Sequence, residues 1–271
     1  MPSFLMGPTL LFCPADRPER YAKAAQRADA VIIDLEDAVA PAHKDAARQA
    51  LLATPLDPAR TMVRVNPIDT EHFAKDLQAL RQTSYRTVML PKSESAAQPA
   101  ALAGYDVVAL CETARGITNA AEIAGAENVV ALMWGAEDLI ASLGGTSSRG
   151  EDGSYRQVAR FARSQVLLHA AANGKAAIDS VYLDIPDLDG LGAESRDAKA
   201  SGFSAKASIH PSQMPVIRQA FAPTEAELQR ARRILEAADA NPGVFAFEGQ
   251  MVDEPLLRQA RATLAGTANL G

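Results

Sequence analysis

Short apolar runs alternate along this chain with polar stretches of helical period. The runs are TLLFCPA (9–15), AVIIDLE (30–36), TMVRVN (61–66), TVMLPK (87–92), VVALCET (107–113), VVALMWG (129–135), AIDSVYL (177–183) and AKASIH (205–210). Each is nearly continuously hydrophobic, as a strand covered on both faces must be, and the segments 20–26, 44–53, 72–81 and 156–172 suit amphipathic helices. Eight such strand–helix units predict an α/β fold, a (β/α)8 TIM barrel, rather than an open doubly wound sheet, and no Gly-rich phosphate turn follows any strand. The longest connection, 136–155, carries GGTSSRGEDGS and reads as a lid or a substrate-side excursion. From Pro223 the pattern changes to TEAELQRARRILEAADA, a Pro/Gly break, and FAFEGQMVDEPLLRQARATL. The expected organisation is therefore a barrel domain over 1–222 and a C-terminal helical extension and lid over 223–271.

Composition narrows the function classes. With 271 residues, 48% hydrophobic and 22% charged, the chain has enough apolar material for one barrel-sized core and is neither disordered nor fibrous. Its formal charge of -6 gives no general positive field, so nucleic acid and anionic membrane surfaces are not expected partners. Only Cys13 and Cys111 are present, which argues against a disulfide framework and a Cys-rich zinc site and fits a reducing, cytoplasmic location. The N-terminus lacks a basic region and a cleavage signal, and no apolar stretch approaches the ~20 residues that cross a bilayer.

The chemistry should stand where the strands end, at the C-terminal face of the barrel. The residues there are Asp16 and Arg17, Glu36 and Asp37, Arg64 and Asn66, Lys92, Glu112, Glu137 and Asp138, Asp184, and His210. Glu112 and Asp138 close neighbouring strands five and six, so the two carboxylates are placed to share a hard divalent cation; with water or substrate filling the remaining positions, Mg²⁺ suits them. The alternative is that each pairs with an arginine or caps a helix. Arg64 can grip a substrate carboxylate bidentately, or pair with Glu36 or Asp37, or both. Arg17, Arg20, Lys23 and Arg27 place a basic stripe after strand one, a candidate phosphate site whose alternative is a solvated helix face. No Gly-x-Ser-x-Gly elbow exists, both thiols lie within apolar strands, and His210 reads as a local structural residue, so nucleophilic catalysis is not expected.

At LFCPADRPER, VIIDLEDAV, TMVRVN, VMLPKSES, ETARG, WGAEDL, IHPSQ and GQMVD the chain resembles the citrate lyase beta subunit-like proteins of the HpcH/HpaI aldolase superfamily, among them the short stand-alone mycobacterial-type proteins. The likeness runs from about Leu11 to Leu257, with the motifs in order at successive strand ends. It implies a Mg²⁺-dependent acyl-coenzyme A lyase that assembles as a homotrimer or hexamer. It also implies that Glu112 and Asp138 ligate the metal and that Arg64, with backbone amides near Gly135 and Ala136, binds the 2-oxo acid. Phe12, Arg17 and Lys23 match positions that hold substrate or coenzyme A. Asp253 matches the catalytic aspartate of a lid that reaches a neighbouring subunit; its alternative is to cap the helix starting near Glu254.

The implied reaction breaks the C2–C3 bond of a 3-hydroxyacyl-coenzyme A, with Mg²⁺ as Lewis acid, to give a 2-oxo acid or related keto acid and acetyl-coenzyme A, and it is reversible. Citramalyl-, malyl-, citryl- and 3-hydroxy-3-methylglutaryl-coenzyme A are all open as substrates. Two other enzymatic readings stand beside it: a citrate lyase beta subunit working on an acyl carrier protein in a complex, and a pyruvate-dependent class II aldolase. A barrel acting only as an interaction scaffold is disfavoured, because every carboxylate and cation the mechanism needs is present.

Overall fold

The computed structural model describes residues 4, 6–241 and 243–265. In it the apolar runs form β1 (Thr9–Pro14), β2 (Ala30–Asp34), β3 (Thr61–Arg64), β4 (Thr87–Leu90), β5 (Asp106–Cys111), β6 (Val129–Trp134), β7 (Ala176–Asp179) and β8 (Ala205–Ser208). These pair in sequence order, all parallel, and β8 returns to β1 to close the barrel. The expected (β/α)8 architecture is the one observed.

Every run extends past its strand by one to four residues at the C-terminal end. The reason is local. Residues beyond the last ladder hydrogen bond turn over the barrel rim, where polar groups need no strand partner. Glu36, Asn66, Lys92 and Glu112 all lie in these overhangs.

The helices are α1 (Tyr21–Arg27), α2 (Lys44–Ala53), α3 (Glu71–Leu80), α4 (Ala97–Ala100), α5 (Ala114–Thr118), α6 (Ala120–Ala124), α7 (Ala136–Ser142), α8 (Gln157–Ala172), α9 (Leu188–Ser201) and α10 (Met214–Phe221). Between the strands, Leu10, Ile32, Met62, Met89, Val108, Leu110 and Met133 meet in one apolar cluster that fills the barrel. Such a packed interior fixes the rim residues to a rigid base and leaves no pore.

One charged network is buried beside β6 and β7. Asp179 accepts from Trp134 Nε1 at 2.8 Å, Arg163 Nε at 2.9 Å and Lys206 Nζ at 2.9 Å, and Lys206 also reaches Glu194 at 2.9 Å. The two cations outweigh the cost of burial and hold the Asp179 carboxyl below its ordinary pKa. Because Trp134 is the last residue of β6, this network pins the point from which the next turn departs.

The connection after β6 is more structured than a lid. Its first seven residues are α7, and residues 148–155 are tied down: Ser148 Oγ donates to Glu137, and Arg149 pairs with Glu194 at 2.8 Å. Arg149 also lies 3.8 Å from the centre of the Tyr155 ring and 5.0 Å from that of Tyr182. Glycines and serines made this stretch look loose, whereas one arginine stacked between two tyrosines anchors it.

The chain divides into two compact units, Met1–Ile217 and Arg218–Gly271, the boundary falling within α10. The second unit contains α11 (Glu225–Ala240), an antiparallel hairpin of β9 (Phe245–Phe247) and β10 (Gln250–Val252), and α12 (Glu254–Ala265). Thr224 opens α11 with a capping box to Glu227, and Ala231, Ile234, Val252, Leu257 and Ala260 form its own small core. Among the described residues no helix is long and apolar enough to cross a membrane.

Candidate active site at the barrel rim

Arg64 is the last residue of β3 and lies beside Asp34, the last of β2, in the parallel register. Its Nε and Nη2 donate to the two Asp34 oxygens at 2.7 and 2.6 Å, and Nη1 lies 2.9 Å from Glu36 Oε2. That last contact is an ion pair off the hydrogen-bond line, since Glu36 Oε2 has no aligned donor. The guanidinium also sits 4.8 Å from the centre of the Phe12 ring. The ion-pair reading of Arg64 is the one the geometry shows: two of its five N–H groups are hydrogen-bonded to Asp34, and Nη1 faces Glu36 without an aligned hydrogen bond. Burial opposes the charge, and the flanking carboxylates overcome it, so Arg64 stays a cation at any working pH.

Asp34 was legible only as a polar interruption of an apolar strand, and the sequence reading passed over it. A carboxylate 1% exposed at a strand end had to have a buried cation nearby.

Glu112 directly follows β5, and the register that pairs Cys111 with Trp134 sets it opposite Gly135. Its Oε1 accepts the Lys92 backbone N–H at 3.0 Å. A Cβ on Gly135 would stand 2.8 Å from both Cβ and Oε2 of Glu112, so glycine is required there for space. Burial, then the neighbouring Asp138 and Glu36 charges, push the Glu112 carboxyl up to about 8. Burial thus favours its protonated form although Arg64 and Lys92 pull the other way.

Asp138 lies in the first turn of α7 rather than at the strand end, and its side chain is 41% exposed. Lys92 Nζ donates to Glu36 Oε1 and lies 3.8 Å from Asp37 and 3.9 Å from Asp138. Burial favours the proton on Glu36, against the pull of Arg64 and Lys92, and its pKa is raised on balance.

The fit to a metal rests on this donor set. Among the described residues no three His, Cys, Asp or Glu side chains gather as a ready-made cage. Two carboxylates, one buried and one reaching solvent, with no nitrogen or sulfur donor, match an ion that keeps most of its water, as Mg²⁺ does. Glu112, 2% exposed, has no salt-bridge partner among the described residues and accepts the Lys92 backbone N–H on Oε1, so the residues fit.

The remaining candidates are less converged. Ala136 N donates to Ser180 Oγ at 3.4 Å, so the amide expected to meet a 2-oxo acid has a weak intramolecular partner. Arg17 precedes a short 3-10 turn, Pro18–Arg20, and Lys23 is on α1, so the basic residues fall on a turn and a helix rather than on one continuous helix. Arg17 and Lys23 are both exposed. His210 accepts from Ser212 N at 3.2 Å and caps the turn after β8, as expected of a structural residue. Cys13 and Cys111 are buried, their thiols pushed up by burial to about 11 and about 12, and inert as nucleophiles. In the second unit, Asp253 Oδ1 lies 3.5 Å from Leu256 N, a capping position at the start of α12.

If Glu112 binds a divalent ion, Gly135→Ala should force its side chain aside and weaken that binding about tenfold or more while the barrel stays folded, because the clash falls on the Glu112 side chain. Calorimetric titration with Mg²⁺ beside a thermal melt checks this, and unchanged affinity would mean that Glu112 is not held by this packing.

Comparison with known proteins gives a consistent result. The HpcH/HpaI aldolase/citrate lyase family matches residues 8–105 and 101–211. A citrate lyase subunit beta-like protein of Mycobacterium tuberculosis is 60% identical over 258 residues, 95% of this chain and 94% of the relative. A (3S)-malyl-CoA thioesterase of Cereibacter sphaeroides is 36% identical over 272 residues, covering 95% and 93%. The crystal structure of the M. tuberculosis protein CitE in complex with magnesium, acetoacetate and coenzyme A superposes with a TM-score of 0.95 at 59% identity, over 97% of this chain and 98% of that one. A citrate lyase beta subunit from the same organism, complexed with oxaloacetate and magnesium, gives 0.80 at 62% identity, over 80% and 98%.

Proposed function

The chain belongs to the HpcH/HpaI aldolase/citrate lyase family and is by that membership a lyase, and from this premise we propose that it cleaves a 3-hydroxyacyl-coenzyme A into a keto acid and acetyl-coenzyme A, with Mg²⁺ held by Glu112 and Asp138. The observation that carries this reading is Glu112: a buried carboxyl raised to about 8 beside a half-exposed second carboxylate. Magnesium in the M. tuberculosis relative, together with acetoacetate and coenzyme A, supports it.

The bound cation would supply Lewis-acid polarisation of a substrate oxygen. The protein's own groups do the rest. Arg64, braced by Asp34 and Glu36, offers N–H groups not bonded to Asp34 to the carboxylate of the keto acid and orients it. As the C2–C3 bond breaks, the C3 hydroxyl gives its proton to solvent water and becomes a carbonyl. The bonding electron pair stays on the thioester α carbon, and Asp253 delivers a proton there. Run backwards, the same groups join acetyl-coenzyme A to the keto acid.

Arg17 and Lys23 take the phosphates of coenzyme A in this reading, since an acidic chain must meet an anion with a local basic group. Phe12, under the Arg64 guanidinium, borders the acid side of the site. The active form is an oligomer in which Asp253 serves a neighbouring copy, as the resemblance to acyl-coenzyme A lyases implies.

The test is a screen of purified protein with Mg²⁺ against citramalyl-, malyl-, citryl- and 3-hydroxy-3-methylglutaryl-coenzyme A, scored by release of keto acid. At least one should be cleaved, and chelation should stop it. Arg17→Ala with Lys23→Ala should raise KM for that thioester about tenfold or more at low salt, with a smaller effect at high salt, where exposed charges are screened. No cleavage of any of the four, or cleavage indifferent to chelator, would refute the proposal.

A further inference from the structure

Lys92 joins the rim by two routes. Its backbone N–H fixes Glu112, and its ammonium lies among Glu36, Asp37 and Asp138. Residues that follow β2, β5 and β6 thus all converge on one residue that follows β4. To make both contacts its backbone takes φ 49°, a left-handed conformation that a side chain with a Cβ disfavours and that glycine would adopt without strain. Glycine could still present the N–H to Glu112. What it could not present is the ammonium.

Four carboxylates, Glu36, Asp37, Glu112 and Asp138, surround Lys92 at this rim, though no three of them are disposed to hold one ion. Left unbalanced, that much negative charge would draw a divalent ion more tightly to the site. Two fixed cations prevent this: Glu36, 3% exposed, has Lys92 on one oxygen and Arg64 on the other.

Resting on the metal reading above, we propose that Lys92 is a positioning and specificity-determining residue whose ammonium serves as a resident counter-cation. It reserves Glu36 and Asp37 from the metal, so that Glu112 and Asp138 bind one divalent ion, weakly. Glu112 is positioned by the main chain of the same residue, so the charge of the site and the aim of its buried ligand are set together.

The experiment is Mn²⁺ binding to the full-length protein, followed by electron paramagnetic resonance without any thioester. Wild type should bind one ion, and Glu112→Gln should lose it. Lys92→Met keeps the backbone N–H and removes the charge; it should bind Mn²⁺ about tenfold tighter or more, because a unit charge this close to Asp138 is removed. Lys92→Gln, which keeps a donor for Glu36 and serves if the methionine variant folds poorly, should behave likewise, and Lys92→Arg should bind as wild type does. A purely structural role would weaken binding in all three. Unchanged or weaker binding in the neutral variants, with wild type binding normally, overturns this inference alone. Binding that survives Glu112→Gln overturns the metal assignment and the inference with it.

Discussion

Glu112→Gln is expected to lower turnover on the order of a thousandfold and to abolish Mg²⁺ dependence, since removing one of two charged ligands forfeits several kcal/mol of transition-state stabilisation. The fold should survive. Glutamine has nearly the same shape, can still accept the Lys92 N–H, and in the metal-free protein replaces a carboxyl that is already largely protonated near neutrality. The pH dependence is a sharper signature. A carboxyl raised from 4.5 to about 8 must release its proton before it can ligate, so Mg²⁺ affinity should rise about tenfold per pH unit below about 8 and level off above it. Stability of the metal-free protein runs the other way. The folded state holds the Glu112 proton more tightly than the unfolded chain does, so this group's contribution falls as pH rises from 4.5 towards 8. Asp138→Asn should weaken metal binding and move that pH profile to lower pH, since burial still raises the Glu112 carboxyl once the Asp138 charge is gone. Calorimetric Mg²⁺ titrations across this pH range decide it: near-native turnover of Glu112→Gln at low Mg²⁺, or a flat affinity profile for wild type, would contradict the metal assignment.

Asp253→Asn is expected to cost on the order of 10²–10⁴ in turnover, the range for a positioned general acid, while Mg²⁺ and keto-acid binding persist. If Asp253 serves a neighbouring subunit, mixing this variant with Glu112→Gln under subunit exchange should restore activity through hybrid sites holding one intact copy of each group. The competing role is visible in the second unit, where Asp253 Oδ1 lies 3.5 Å from Leu256 N at the start of α12. As a cap alone it would be worth about 0.5–2 kcal/mol of stability, a loss asparagine would largely avoid because it caps nearly as well. Full activity of Asp253→Asn would leave only the capping role. Failure to complement despite demonstrated exchange would remove the shared site.

The order of the chain alone dictated the barrel. Eight runs buried on both faces, each followed by helix-forming sequence, admit few other parallel arrangements, and the strands fell within a residue or two of the runs at their N-terminal ends. The positions of Glu112 and Asp138 near neighbouring strands were legible for the same reason, because strand order in a parallel barrel follows sequence order. What sequence could not determine was who faces whom across the rim. Asp34 looked like one polar residue in an apolar strand, yet register places it on Arg64; Lys92 looked like one polar overhang among several, yet a left-handed backbone turns its amide to Glu112 and its ammonium to the other acids. The loop after β6 read as loose because glycine and serine dominate it, and was tied down by one arginine between two tyrosines. Period and composition are properties of neighbours along the chain, and they settle elements and their order. Charge pairing depends on distances between residues far apart in sequence, and only closure of the barrel brought those groups within reach of one another.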